Sequence, residues 1–271
     1  MVRRHDRDRY QTALFASAAR REALFALYAF NYEIARVRET VTQPTLGRMR
    51  LQWWRENIAA IYGAGPMRHE PVVDALAAAV REYRLTRDHF DRLIQARETD
   101  LEDEPLTNLV ALENYAEGTS SRLMYLALEI LGVREPIALM AGRHVGIAFA
   151  LSGMLRSLPI WIDARRPFIP VELSSRYRLA PADAQQIRSS PALRAIAAEI
   201  GVLAYSHLDV ARRGCSAVPS AALPALLQAK IADHWLGRLR GARHDPFNFS
   251  LQRVDALQIW RLCFAMLRGR F

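Results

Sequence analysis

The feature that most constrains this chain is its apolar period. Apolar residues recur at i, i+3, i+4 spacing almost everywhere, and no stretch alternates apolar with polar long enough to make a strand. Leu24, Leu27, Tyr28, Asn31, Ile34 and Ala35 share one face of a long N-terminal helix, which a loop with Pro44 ends. Leu46, Met49, Trp53, Asn57 and Ile58 mark a second helix, with the Trp53-Trp54 pair packed into the core. Pro71 opens a third helix, Thr86 caps a fourth, and Thr107 caps a fifth that runs to about Leu131 and stops at Gly132. Pro136 opens a long apolar helix reaching Leu155. Residues 159–191 are proline-rich and irregular, like a lid or an extended strap. Helices over about 192–213, 223–240 and 251–268 complete the chain. The expectation is one all-α domain over residues 1–271.

Composition removes several function classes. No apolar run approaches the ~18 residues of a membrane span; the best candidate, residues 145–155, contains Ser152 and two glycines and ends at Arg156. The formal net charge is +9, and Lys230 is the only lysine among 37 basic residues. Such a surface attracts anionic lipid, acidic protein or nucleic acid. The arginines are spread along the chain without a nucleic-acid motif, so no nucleic-acid partner is expected. Cys215 and Cys263 lack a CxxC partner and read as reduced, buried thiols. The N-terminus, MVRRHDRDRY, has no apolar leader stretch, and Asp6 and Asp8 argue against a transit peptide. A bacterial cytoplasmic protein, or one already processed, is the expectation.

Familiar catalytic signatures are missing. None of the seven histidines pairs at i, i+4, and there is no GxSxG, Walker loop or GxGxxG. Glu98, Asp100, Glu102, Asp103 and Glu104 form the one dense carboxylate cluster; it is read as a solvated helix end, with Mg²⁺ binding as the alternative.

Two segments acquire meaning together: LFALYAFNYEIARVRE (residues 24–39) and VGIAFALSGMLRSLPIW (145–161), followed by RRPFIPVELSSRYRL. They resemble the two signatures of the squalene/phytoene synthase family, roughly Y-A-x-x-R-x-x-D-D-x-x-D and Q-L-T-N-I-L-R-D-x-x-x-D, then G-R-x-Y-L-P. The resemblance implies an all-α isoprenoid-synthase fold. It also implies two facing Asp-rich segments that hold Mg²⁺ against a diphosphate, whose charge must be drawn off as the C–O bond ionises. This chain keeps Tyr28, Ala29, Leu151, Leu155 and Arg156. The aspartate positions hold Ala35, Arg36, Ser157 and Trp161, the asparagine position holds Gly153, and only Glu39 remains as a carboxylate. The strap survives as Arg165, Arg166, Pro167, Phe168, Ile169 and Pro170. No metal and no cofactor are therefore expected, and Mg²⁺ would enter only if the chain were an enzyme after all.

Further blocks, A-F-N-x-E-I-A, L-G-x-M-R-x-Q-W-W, E-N-Y-A-E and F-I-P, are similar to the non-catalytic branch of this family, which assists assembly of respiratory complex I. That resemblance implies a complex I subunit or assembly intermediate as partner, an isoprenoid or lipid as possible ligand, and the inner face of a membrane as location (the mitochondrial matrix face in the resembling branch). With net charge +9, attachment to an anionic membrane surface would be peripheral and electrostatic. Two rivals stand beside this reading: a head-to-head prenyltransferase with an altered diphosphate site, and a peripheral lipid carrier.

The candidate pocket comprises Tyr28, Asn31, Ala35, Arg36, Glu39, Ala150, Gly153, Arg156, Ser157, Arg166, Phe168 and Pro170. Each has a plainer alternative. Tyr28 and Asn31 would equally make a satisfied buried polar pair. Arg36 would equally be a surface charge, and Arg156 a cation at a helix C-terminus. Small residues at 29, 35, 146, 148, 150 and 153 would either leave a pocket between the two signature helices or let helices pack closely.

Overall fold

Proline, glycine and short polar caps divide the chain. The computed structural model describes residues 1–102, 104–163, 169–179, 190–252 and 255–271, and every regular element among them is helical. Asp6 caps α1 (Arg7–Ala13), its carboxylate accepting from the Arg9 backbone N–H. α2 spans Ala18–Ala35. α3 (Pro44–Ile61) and α4 (Pro71–Tyr83) each carry proline in the first turn, where a missing N–H breaks no hydrogen bond. α5 (Arg87–Glu98) follows Thr86. Thr86 does not cap it: its N–H and hydroxyl both go to the buried Glu129 carboxylate, at 2.8 and 2.5 Å.

Further expectations need correction. Asn108, not Thr107, caps α6 (Leu109–Ala116), accepting from the Ala111 N–H at 2.9 Å. The expected single helix to Leu131 is interrupted by a π turn over Glu117–Ser121 before α7 (Arg122–Ile130), which Gly132 ends at φ 73°. α8 runs Pro136–Asp163 and carries Pro159 inside it, well past Leu155. Its length and apolar composition match a membrane span, contrary to the sequence reading, yet most of it is buried within the protein, as suits a core helix. Beyond α9 (Pro191–Arg212) and α10 (Gln228–Gly241), the last helix is short: α11 covers only Gln258–Leu267.

α8 occupies the middle of the molecule. Val145, Ile147, Ala148 and Leu151 are fully buried, and the helix packs against α7, α9, α10 and the π turn. Two of its glycines explain the fit. A Cβ on Gly146 would stand 2.7 Å from the Ser121 Cα, and one on Gly142 would stand 2.8 Å from Leu128. Close helix packing is thus the role of these two positions. Around α2, Phe30 meets Trp54 and Phe90 edge-on at 5.1 and 5.4 Å. Burying one such ring contributes roughly 1.5–3 kcal/mol. Trp54 lies in the core as expected, with Trp53 half-buried against it. Both cysteines are free and half-buried rather than buried.

Candidate functional site

The inward face of α2 carries polar groups that find no partner. Tyr28 is 1% exposed and Asn31 is 4% exposed, yet the Tyr28 hydroxyl and the Asn31 Oδ1 accept and donate nothing. They are buried, but not the satisfied pair that was one reading of them. Burial pushes the Tyr28 phenol well above its usual range. The guanidinium of Arg9, from α1, lies 4.8 Å from the Phe149 ring of α8 and 5.9 Å from the Tyr28 ring of α2. It therefore bridges the two signature helices and takes up part of the space between them. Arg9 is tied to Asp6 at 2.8 Å, and its Nε is buried without a partner. Sequence reasoning missed Arg9, because the N-terminal basic run was weighed only as a leader; its signal was the Asp6 cap placing it one turn into a helix.

At the end of α2 the signature residues point elsewhere. Ala35 is half-buried in the last turn. Arg36 is half-buried, stacked 5.2 Å from the Tyr32 ring and paired with Glu33 at 3.4 Å, so it is not a free surface charge. Glu33, 7% exposed, also takes Arg50 at 3.3 Å. Glu39 is exposed on the short helical turn Val37–Thr40. On α8, Ala150, Gly153 and Ser157 are half-buried, and a Cβ on Gly153 would meet open space. Trp161 packs half-buried against the core. Pro170 is buried at the start of the helical turn Val171–Arg176. Arg166 and Phe168 lie outside the described residues.

Arg156 does not end its helix, since α8 continues past it; the helix-dipole reading is thereby corrected. Half exposed, it pairs with Asp8 at 2.8 Å. Burial alone would raise the Asp8 carboxyl, but Arg156 and the Gln258 amide hold it below the usual carboxylate range. This pair stands in the wall of a cleft of about 290 Å³, together with Arg7, His234, Trp235, Arg238 and Gln258. The cleft includes Arg156 but none of the candidates on α2.

A second polar cluster was not foreseen. His144 and His207 share a hydrogen bond between their Nδ1 atoms at 2.8 Å, and His207 Nε2 lies 3.5 Å from Glu113. Glu117 pairs with Arg143 at 2.6 Å and Arg122 at 3.5 Å. Tyr115 donates to Asp100 at 2.5 Å, beside the half-buried Arg97. The E-N-Y-A-E block thus builds side-chain networks around the π turn. Asp100 is not a solvated end of the acidic run, and Glu98 pairs with Arg55 at 2.8 Å. Asp103 lies outside the described residues.

The donor set does not fit a magnesium cluster. Mg²⁺ takes hard oxygen ligands in octahedral array, and the signature positions offer Ala35, Arg36, Gly153, Ser157, Trp161 and one outward carboxylate, Glu39. Among the described residues no group of three or more His, Cys, Asp or Glu is placed to hold a metal.

The helical arrangement is that of isoprenoid synthases. A dehydrosqualene synthase superposes with TM-score 0.84 at 16% identity, over 98% of this chain and 93% of its own. A squalene synthase from Alicyclobacillus acidocaldarius superposes with TM-score 0.78 at 19% identity, over 91% and 92%. At the level of sequence, the squalene/phytoene synthase family model matches residues 2–262, and the chain belongs to that family. NADH dehydrogenase (ubiquinone) complex I, assembly factor 6 from Bos taurus is 34% identical over 271 residues, covering 100% of this chain and 81% of that protein. The Homo sapiens protein of the same name is 34% identical over 268 residues, covering 96% and 80%. Presqualene diphosphate synthase from Rhodopseudomonas palustris is 26% identical over 192 residues, covering 70% and 68%.

Proposed function

We propose that this chain is a non-catalytic member of the squalene/phytoene synthase family that serves the assembly of respiratory complex I, held peripherally at the inner face of a membrane. One observation carries the reading. The positions where the family's synthases hold aspartates carry Ala35, Arg36, Ser157 and Trp161, in a chain that matches an assembly factor along its whole length. Without those carboxylates nothing gathers Mg²⁺ on a diphosphate, and the leaving group keeps the charge that opposes ionisation. Arg36 is spent on Glu33 and Tyr32, and Arg156 on Asp8.

A binding role for the space between the signature helices is part of this reading. The orphaned Tyr28 hydroxyl and Asn31 Oδ1, with open space at Gly153, suit a ligand with an apolar body and a polar end, an isoprenoid or a lipid. Ala150→Phe should leave the protein folded while abolishing lipid co-purification.

The test is genetic and chemical together. Deleting the gene should lower the amount of assembled complex I in native gels of the host membranes, with its subunits still expressed. Unchanged complex I overturns the assembly role. Calorimetric titration with Mg²⁺ and a farnesyl diphosphate analogue should show no metal-dependent binding. Turnover of an allylic diphosphate would establish the prenyltransferase instead.

A further inference from the structure

The C-terminal helix α11 is apolar on two sides, and the fold uses only one. Leu262 and Ala265, 1% and 5% exposed, face inward, and the helix packs on α10. Leu257, Trp260, Phe264 and Leu267 recur at i, i+3, i+7 and i+10 and are 61%, 70%, 54% and 86% exposed. Large apolar side chains aligned in one exposed row are unlike the single exposed leucines of an ordinary surface.

The charge around this row is mostly positive, and the one carboxylate at its start, Asp255, is paired with His234 and Arg261. Residues 256–271 contain no Asp or Glu and three arginines, Arg261, Arg268 and Arg270. The Arg268 guanidinium lies over the Phe264 ring at 4.0 Å, so a cation is held directly against the apolar row. The cleft lined by Arg7, Arg156 and Arg238 opens beside the first turn of α11, where Gln258 forms part of its wall. The two aspartates in that wall are already paired, Asp8 with Arg156 and Asp255 with His234 and Arg261.

We propose that the Leu257–Trp260–Phe264–Leu267 row is a membrane-docking surface that inserts into the interface of an anionic lipid bilayer, with the flanking arginines on the headgroup phosphates. Trp, Phe and Leu on one face with arginine beside them is the pattern of a helix lying in the plane of a membrane interface. A bilayer accepts such a row without a shaped groove. A cationic rim adds attraction only where the surface is anionic. The proposal extends the peripheral-membrane part of the proposed function; the assembly role is judged by complex I content and not by vesicle binding.

The experiment is sedimentation of the full chain with vesicles of phosphatidylcholine alone and of phosphatidylcholine with phosphatidylglycerol. Wild type should bind the anionic vesicles, with Trp260 quenched by brominated acyl chains. The double variant Trp260→Ser/Phe264→Ser should bind about tenfold more weakly or worse, because its inserted apolar area is gone. Val202→Ser, at a 68% exposed apolar position on α9, should bind as wild type does. Arg268→Glu/Arg270→Glu should lose the preference for anionic vesicles and most of the salt dependence, with unchanged circular dichroism. Anionic-vesicle binding unaffected by the Trp260/Phe264 double variant overturns the proposal. So does a wild-type dimer in solution that this variant splits into monomers, since the row would then belong to a second copy of the chain. A wild type that fails to bind anionic vesicles at low salt overturns it as well.

Discussion

Two glycines of α8 should answer the same substitution with opposite signs. Adding a methyl at Gly146 places a Cβ 2.7 Å from the Ser121 Cα and Oγ and 2.8 Å from its backbone nitrogen. The obstacle is backbone, held in the π turn, so no side chain can swing aside. Overpacking of this kind costs about 1–3 kcal/mol. The Ser121 hydroxyl, which donates to the Arg143 carbonyl at 2.7 Å, is crowded too, and losing that bond costs about 0.5–1.5 kcal/mol. Against this, alanine is a better helix former than glycine by about 1 kcal/mol. The net for Gly146→Ala is a loss of about 2 kcal/mol, or a fall in Tm of about 4–8 °C at about 2–4 °C per kcal/mol. Gly153→Ala meets nothing within 4 Å. Only the propensity term remains there, so Tm should rise by about 2–4 °C. Thermal unfolding followed by circular dichroism, on wild type and both variants at one pH, reads the difference. Gly146→Ala as stable as wild type would show that α8 can retreat from the π turn without loss, and the close-packing argument would fail. A destabilised Gly153→Ala would show that the space beside it is not open.

Other outcomes follow from the polar groups. Tyr28→Phe removes a buried hydroxyl without a partner, so it should raise stability, by up to about 1 kcal/mol; a clear loss in urea unfolding would show that the hydroxyl is bonded to water or ligand. Glu129→Ala strands the Thr86 N–H and hydroxyl and releases Arg134 from its 2.8 Å pair. It should cost at least about 2 kcal/mol, and a loss below half of that would show that the Thr86 junction rearranges freely. Burial holds His144 and His207 below the ordinary histidine value. Such groups bind their proton less well folded than unfolded, so their stability contribution is complete above pH ~6.5 and declines as pH falls through the window below it. His144→Gln/His207→Gln should flatten the dependence of Tm on pH below ~6.5, and an unaltered slope would sink that assignment.

Helical spacing of Leu24, Leu27, Tyr28 and Ile34, and of the run from Val145 to Leu155, was enough to read an all-α chain, because 3.6-residue periodicity is a local property of sequence. The missing aspartates at 35, 36, 157 and 161 were equally legible, since a side chain's ability to ligate a cation is fixed by its identity. Contact between distant segments was not legible. Nothing in the linear order places Arg9 between Tyr28 and Phe149, Asp8 against Arg156, or His144 against His207; each contact joins separate helices and exists only once they pack. The same limit divided the small residues of α8. Gly146 serves close approach and Gly153 faces open space, although both occupy one helix and look alike in sequence. In α11, periodicity marks both apolar faces, but only the tertiary structure decides that Leu262 is covered and Trp260 is not, because burial depends on which surface finds a neighbour.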